Sequence, residues 1–161
     1  MSDVCARRLR QPASPWSASL YPAPEDVAFA SAVFREWLTI RRDEPLLRLR
    51  TPEDIGARLS FANTGPDQVP GVIVMQLRDD IEGLPELDDT VDRLLVVFNA
   101  TPSRVSLTVP EAAGLPWLLH EAQAIGADAD TLRGAFVSTA NGRVSVPPLS
   151  TAVFVAPQLP R

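Results

Sequence analysis

The chain has 161 residues, of which 45% are hydrophobic and 22% charged, and its formal net charge is −5. This is one domain's length, enough to bury roughly 70% of the surface of the unfolded chain, and too short for a (β/α)₈ barrel of ~250 residues. The composition excludes disordered and membrane-embedded classes. The acidic balance argues against nucleic acid as a partner, since phosphate binding needs clustered positive charge. The 15 basic residues are all arginine, grouped only at Arg7, Arg8 and Arg10 and at the pair Arg41–Arg42, without interleaved aromatics.

The 16 prolines, roughly double the usual share, predict many short elements, because helix interiors tolerate proline poorly. Cys5 has no partner for an internal disulfide. No signal-peptide core follows Met1, and no window approaches the ~18 apolar residues of a membrane span. A soluble cytoplasmic protein of a reducing compartment is expected.

Residues 1–24 read as an irregular tail, punctuated by Pro12, Pro15, Pro22 and Pro24 and carrying Trp16 and Tyr21 without any period. A helix is expected over 25–41. Pro24 suits its first position, Glu25 and Asp26 complement its N-terminal dipole, and Pro45 lies beyond its end. Val27, Ala30, Val33, Phe34, Trp37, Leu38 and Ile40 follow helical spacing and predict one broad apolar stripe. Burying such large side chains is worth about 1.5–3 kcal/mol each, so the stripe is expected to be covered. The cover is the sandwich, the Trp16/Tyr21 tail or a partner chain. Thr51-Pro52-Glu53-Asp54 opens a second, short helix through a threonine cap.

From Arg58 the period changes to 2. Strands are expected at 58–62, 71–77, 93–98, 104–109, 117–120, 134–138, 143–146 and 151–155. Residues 93–98 are nearly all apolar, as in a strand covered on both faces. Asn141-Gly142 is a hairpin signal. The segment 79–92 reads as an acidic surface loop, and the alanine- and aspartate-rich stretch to Asp130 as another loop. The fold class is mainly β: an antiparallel sandwich of about eight strands preceded by one amphipathic helix.

The chemistry-bearing residues are few. His120 is the only histidine and reads as structural or surface-bound rather than as the base of a triad. One histidine and a distant cysteine do not make a zinc site. Asp79, Asp80, Glu82, Glu86, Asp88 and Asp89 lack the spacing of a calcium loop and read as solvated, as do Asp128 and Asp130. Glycosidase chemistry needs two opposed carboxylates about 5–10 Å apart on a rigid frame, whereas these acids sit in loops with nothing to fix them. Glycines are scattered singly, so no phosphate loop is expected. Of the aromatic candidates for sugar stacking (Trp16, Tyr21, Trp37, Trp117), Trp37 and Trp117 are expected in the core. No catalytic, cofactor-binding or metal-ligating residue is assigned, and no cofactor is expected.

The runs Phe34–Arg41, Pro45–Leu49, Asp54-Ile55 and Ser60–Met75 (SFANTGPDQVPGVIVM), with Val96–Ala100, Val146–Pro148 and Thr151–Val155, resemble the C-terminal region of pullulanase-type α-1,6-glucosidases, a group that includes the plant limit dextrinases. The resemblance covers about 26–157. It implies three segments: the tail 1–24, a helix at 25–48 corresponding to the last helix of a glycosidase barrel, and a C-terminal β-sandwich at 49–161. In that family the catalytic aspartate and glutamate lie in the barrel, so no family catalytic residue maps onto this chain. The implied function is that of a structural C-terminal module of a debranching glycoside hydrolase. A free-standing α-glucan-binding module and an inactive truncated fragment are the alternatives. The implied partners are the catalytic barrel, or another chain covering the helix at 25–41, with weak α-glucan contact; nucleic acid and membrane are not expected.

Overall fold

The computed structural model describes residues 21–158. Three layers stack: helices, a five-stranded antiparallel sheet, and a three-stranded antiparallel sheet. The eight strands are β1 (Leu59–Phe61), β2 (Val72–Arg78), β3 (Val91–Asn99), β4 (Val105–Thr108), β5 (Leu118–Leu119), β6 (Phe136–Val137), β7 (Arg143–Val146) and β8 (Ser150–Pro157). The larger sheet has the order β1-β2-β3-β8-β5 and the smaller β4-β7-β6. The eight strands agree in place with the expected set, although β5 and β6 shrink to two residues each and β3 starts at Val91, two residues early.

β3 is the spine of the larger sheet. Leu94, Leu95, Val96 and Val97 are each at most 1% exposed, as their unbroken apolarity requires of a strand covered on both faces. Alternation then divides the core in two. Leu95 and Val97 join Val72, Val74, Ala152 and Phe154 against Val109, Leu132, Val144 and Val146 of the second layer. Leu94 and Val96 join Leu77 and Val153 against Ile40 and Leu46 of the helical layer.

That helical layer comprises α1 (Pro24–Asp43), a 3₁₀ turn (Pro45–Arg48) and α2 (Pro52–Arg58). Pro24 occupies the first turn of α1, and Asp26 accepts from the Ala23 N–H at 3.0 Å. Thr51 Oγ1 caps α2 by accepting from the Asp54 N–H at 3.1 Å. Sequence reading missed two small elements. A 3₁₀ turn (Pro110–Ala112) follows β4, and a helix α3 (Glu121–Ala124) stands where a loop was expected. A single helical turn leaves too little periodicity to read.

Asn141-Gly142 forms the expected hairpin between β6 and β7: the Ser138 N–H donates to Arg143 O and the Gly142 N–H to Ser138 O, each at 2.8 Å. Gly142 has φ +66°, and a Cβ there would lie 2.1 Å from Val109 O, so only glycine fits.

The central strand sets the stability. Leu95→Ala is expected to cost about 2–5 kcal/mol in a urea titration, because β3 is locked between neighbours and cannot collapse onto the cavity. A loss below about 1 kcal/mol would mean that β3 is not the packed centre.

Candidate functional site

The outer surface of the helical layer is the candidate site, and its geometry starts from how α1 is tied down. Ile40 is fully buried and Trp37 packs half-buried beside it. Past the helix end, Glu44 is buried and its Oε1 lies 3.2 Å from His120 Nε2. His120 Nδ1 in turn accepts the Ala122 N–H at 3.1 Å and caps α3. With Nδ1 accepting, the ring proton sits on Nε2 and is donated to Glu44. Both nitrogens are committed, so His120 is a structural linchpin between α1 and the sheet layer. Glu36 accepts from the Ala127 N–H and fastens the middle of α1 to the segment after α3.

The single stripe read from sequence divides into two faces. Val33, Trp37 and Ile40 turn toward the sandwich, whereas Val27, Phe34 and Leu38 project outward and are 55%, 62% and 52% exposed. Those three recur at i, i+7 and i+11, one line along the helix. The expected cover of this line is absent from the described residues: Tyr21 is exposed, and Trp16 and Cys5, with the rest of residues 1–20, lie outside them. Beside α1 runs a groove of about 450 Å³ whose walls include Val33, Trp37, Phe98 and Leu149. Leu149 is strongly exposed and holds φ +49°, a conformation leucine rarely adopts. On the same side of the sheet, Ile73 pairs with Phe98 across β2 and β3, and both are partly exposed. A continuous apolar surface results. Patches of this kind mark contact surfaces.

The acids do not converge on a site. Asp79 and Asp88, read as solvated, are both buried. Asp79 Oδ1 takes the Arg58 guanidinium and its Oδ2 accepts the Leu87 and Asp88 N–H groups, each at 2.8 Å. Asp88 Oδ1 accepts from the Thr90 N–H, the Thr90 hydroxyl and the Val91 N–H at 2.9, 2.7 and 3.1 Å. The expectation that nothing fixes the acids therefore fails for these two: they clamp the loop onto the sheet. Asp80 bridges Arg93 at 3.0 Å and Arg78 at 3.1 Å. Burial pushes its carboxyl up, but the hydrogen bonds from Arg93 and Arg78 outweigh this and hold it below the usual range. Asp130 pairs with Arg133 at the surface, and Asp128 lies on the groove beside α1. Among the described residues no group of three or more histidine, cysteine or acidic side chains could hold a metal.

Trp37 and Trp117, expected in the core, are half-buried at its margins. The Trp117 indole N–H donates to Ala112 O at 2.8 Å. Sequence reading missed Arg58, whose side chain is fully buried and also donates to Pro85 O. Its acceptors lie 21 to 27 residues downstream, so no local pattern announces it. Asn99 is another: its Nδ2 donates to Ser103 O and Pro147 O at 2.8 and 2.7 Å, and its Oδ1 accepts from Thr101. Asn63 similarly donates to Val69 O and Val72 O at 2.9 and 2.8 Å.

Two predictions follow from the carboxylates. Asp79→Ala strands the Arg58 charge in the interior and is expected to cost about 3–5 kcal/mol, whereas the double replacement Arg58→Met/Asp79→Leu recovers most of it; equal losses in chemical denaturation would refute the ion-pair account. A lowered Asp80 pKa contributes stability that is complete above the unfolded value of about 3.9 and disappears as pH falls through the lower folded value. Asp80→Asn is therefore expected to flatten the acid limb of a stability-versus-pH curve below about pH 4, and an unchanged limb would exclude the role.

Comparison with known proteins places this arrangement. Residues 14–157 match the family described as "Alpha-1,6-glucosidases, pullulanase-type, C-terminal". The match starts before residue 26 and takes in part of the stretch read as a tail. Pullulanase 1, chloroplastic, of Arabidopsis thaliana is 37% identical over 125 residues, 76% of this chain and 13% of that protein. Pullulanase of Klebsiella pneumoniae is 31% identical over 137 residues, 85% of this chain and 12% of its own length. The crystal structure of PulA from Klebsiella oxytoca superposes with a TM-score of 0.77 at 30% identity, covering 87% of this chain and 13% of that one. The chain thus spans about an eighth of the relatives it matches, and it belongs to the C-terminal domain family of pullulanase-type α-1,6-glucosidases.

Proposed function

We propose that this chain serves as the supporting C-terminal module of a debranching glycoside hydrolase, docked through its helical layer onto a catalytic barrel that cleaves α-1,6 linkages in glucans. The carrying observation is the outward line Val27, Phe34 and Leu38 on α1. A helix already packed on a sheet by one face has no reason of its own to present three large apolar residues on the other. Each would contribute about 1.5–3 kcal/mol if covered, which is the scale a stable interdomain contact needs. The groove beside α1, with Leu149 on its wall, extends that surface. Support also comes from what the described residues are engaged in: His120, Asp79 and Asp88 are each spent on internal bonds. The bond-breaking groups would then belong to the barrel.

The test mixes the purified chain with a pullulanase barrel lacking its own C-terminal region. Co-elution and a raised barrel melting temperature are expected, with pullulan hydrolysis confined to samples that contain the barrel. Phe34→Asp/Leu38→Asp should abolish co-elution without lowering the melting temperature of the chain alone, since both side chains are already wet. Pullulan hydrolysis by the chain by itself, or indifference of docking to the double substitution, would reject the reading.

A further inference from the structure

The two sheets differ in width, and the wider one overhangs. β1 is an edge strand of the five-stranded sheet and β4 an edge strand of the three-stranded one. Along β2 the inward positions begin apolar, with Val72 and Val74 buried, and then turn polar at Gln76 and Arg78. Ser60 of β1 pairs directly with Gln76. Polar side chains on an inward face mean that the second sheet no longer covers it there. The gap forms a cleft of about 280 Å³ between Ser60, Phe61, Gln76 and Arg78 on one side and Thr108 and Glu111 on the other.

The cleft's chemistry is specific in kind. Ser60, Gln76, Thr108 and the Glu111 carboxylate make no side-chain hydrogen bond to the described residues. They offer two hydroxyls, an amide with both donors and an acceptor, and a carboxylate acceptor. Phe61, half exposed, adds an aromatic surface. The one cation, Arg78, is already paired with Asp80, so a free anion would find only the opposing charge of Glu111. Donors and acceptors in mixture beside an apolar wall match a neutral polyol, whose hydroxyls give and accept while its C–H face lies against the ring. Ligand sites commonly span about 300–1,000 Å³, so the cleft takes one sugar unit and not a long segment.

We infer that this overhang cleft binds a single glucosyl residue of an α-glucan, holding substrate chain near the parent enzyme without taking part in bond cleavage. The choice of glucan over other polyols rests on the debranching reading above; the polyol character rests on the cleft alone.

The experiment is a heteronuclear NMR titration of the full chain with maltotriose, with sodium phosphate in a parallel series. Saturable shifts centred on the amides of Ser60, Gln76, Thr108 and Glu111 are expected, with millimolar affinity. Phe61→Ala and Gln76→Ala should each weaken binding by about tenfold while the melting temperature stays close to that of the parent. Three results would overturn the inference: no saturable shift with maltotriose, shifts centred instead on Trp37 and Phe98, or a response to phosphate alone. Barrel docking is measured separately, so docking without a maltotriose response removes this site only, and a maltotriose response without docking removes the supporting role only.

Discussion

Burial of β3 on both faces is the constraint from which the architecture follows. A strand whose consecutive residues Leu94–Val97 are all removed from water needs a layer on each side, and a two-layer sandwich supplies only one. The second sheet covers Leu95 and Val97; the helical layer must cover Leu94 and Val96. Hence α1, the 3₁₀ turn (Pro45–Arg48) and α2 are integral to the domain. The stretch resembling a barrel's last helix is thereby also a wall of the sandwich core, anchored by Ile40 and by the Glu44–His120 bond.

Polar side chains do a complementary task at the strand ends. Asn63 pins the β1–β2 connection, Asn99 ties the turn after β3 to the carbonyls before β8, and Asp79 and Asp88 hold the β2–β3 loop. Each satisfies backbone groups that the ladders leave unpaired, and a buried backbone group left unpaired would cost about as much as a lost hydrogen bond. These positions fall within the segments that resemble the pullulanase family. In this domain the recognisable residues are those that close turns, which is consistent with a module whose similarity records architecture and not chemistry.

The two-faced helix connects fold to function. Val33, Trp37 and Ile40 satisfy the sandwich, and Val27, Phe34 and Leu38 remain for something else. Because the chain spans about an eighth of its relatives, surface that is exposed in these residues coincides with what a larger neighbour would cover. Leu149, held at positive φ on the groove wall, belongs to the same surface.

The strand positions, the central burial of β3, the Thr51 cap and the Asn141-Gly142 hairpin were legible in the sequence because each depends on neighbours within a few residues. Periodicity, caps and turn chemistry are local. The division of the α1 stripe, the burial of Arg58 with Asp79 and the double commitment of His120 were not legible, because each depends on residues tens of positions away meeting in space. An acid run looks solvated until an arginine is delivered to it, and an apolar stripe looks single until one sheet claims part of its width. The sequence by itself determined which elements form. Which faces they bury, and which they leave free to meet another protein, was decided only by tertiary packing, since burial is a property of the assembled layers and not of any segment.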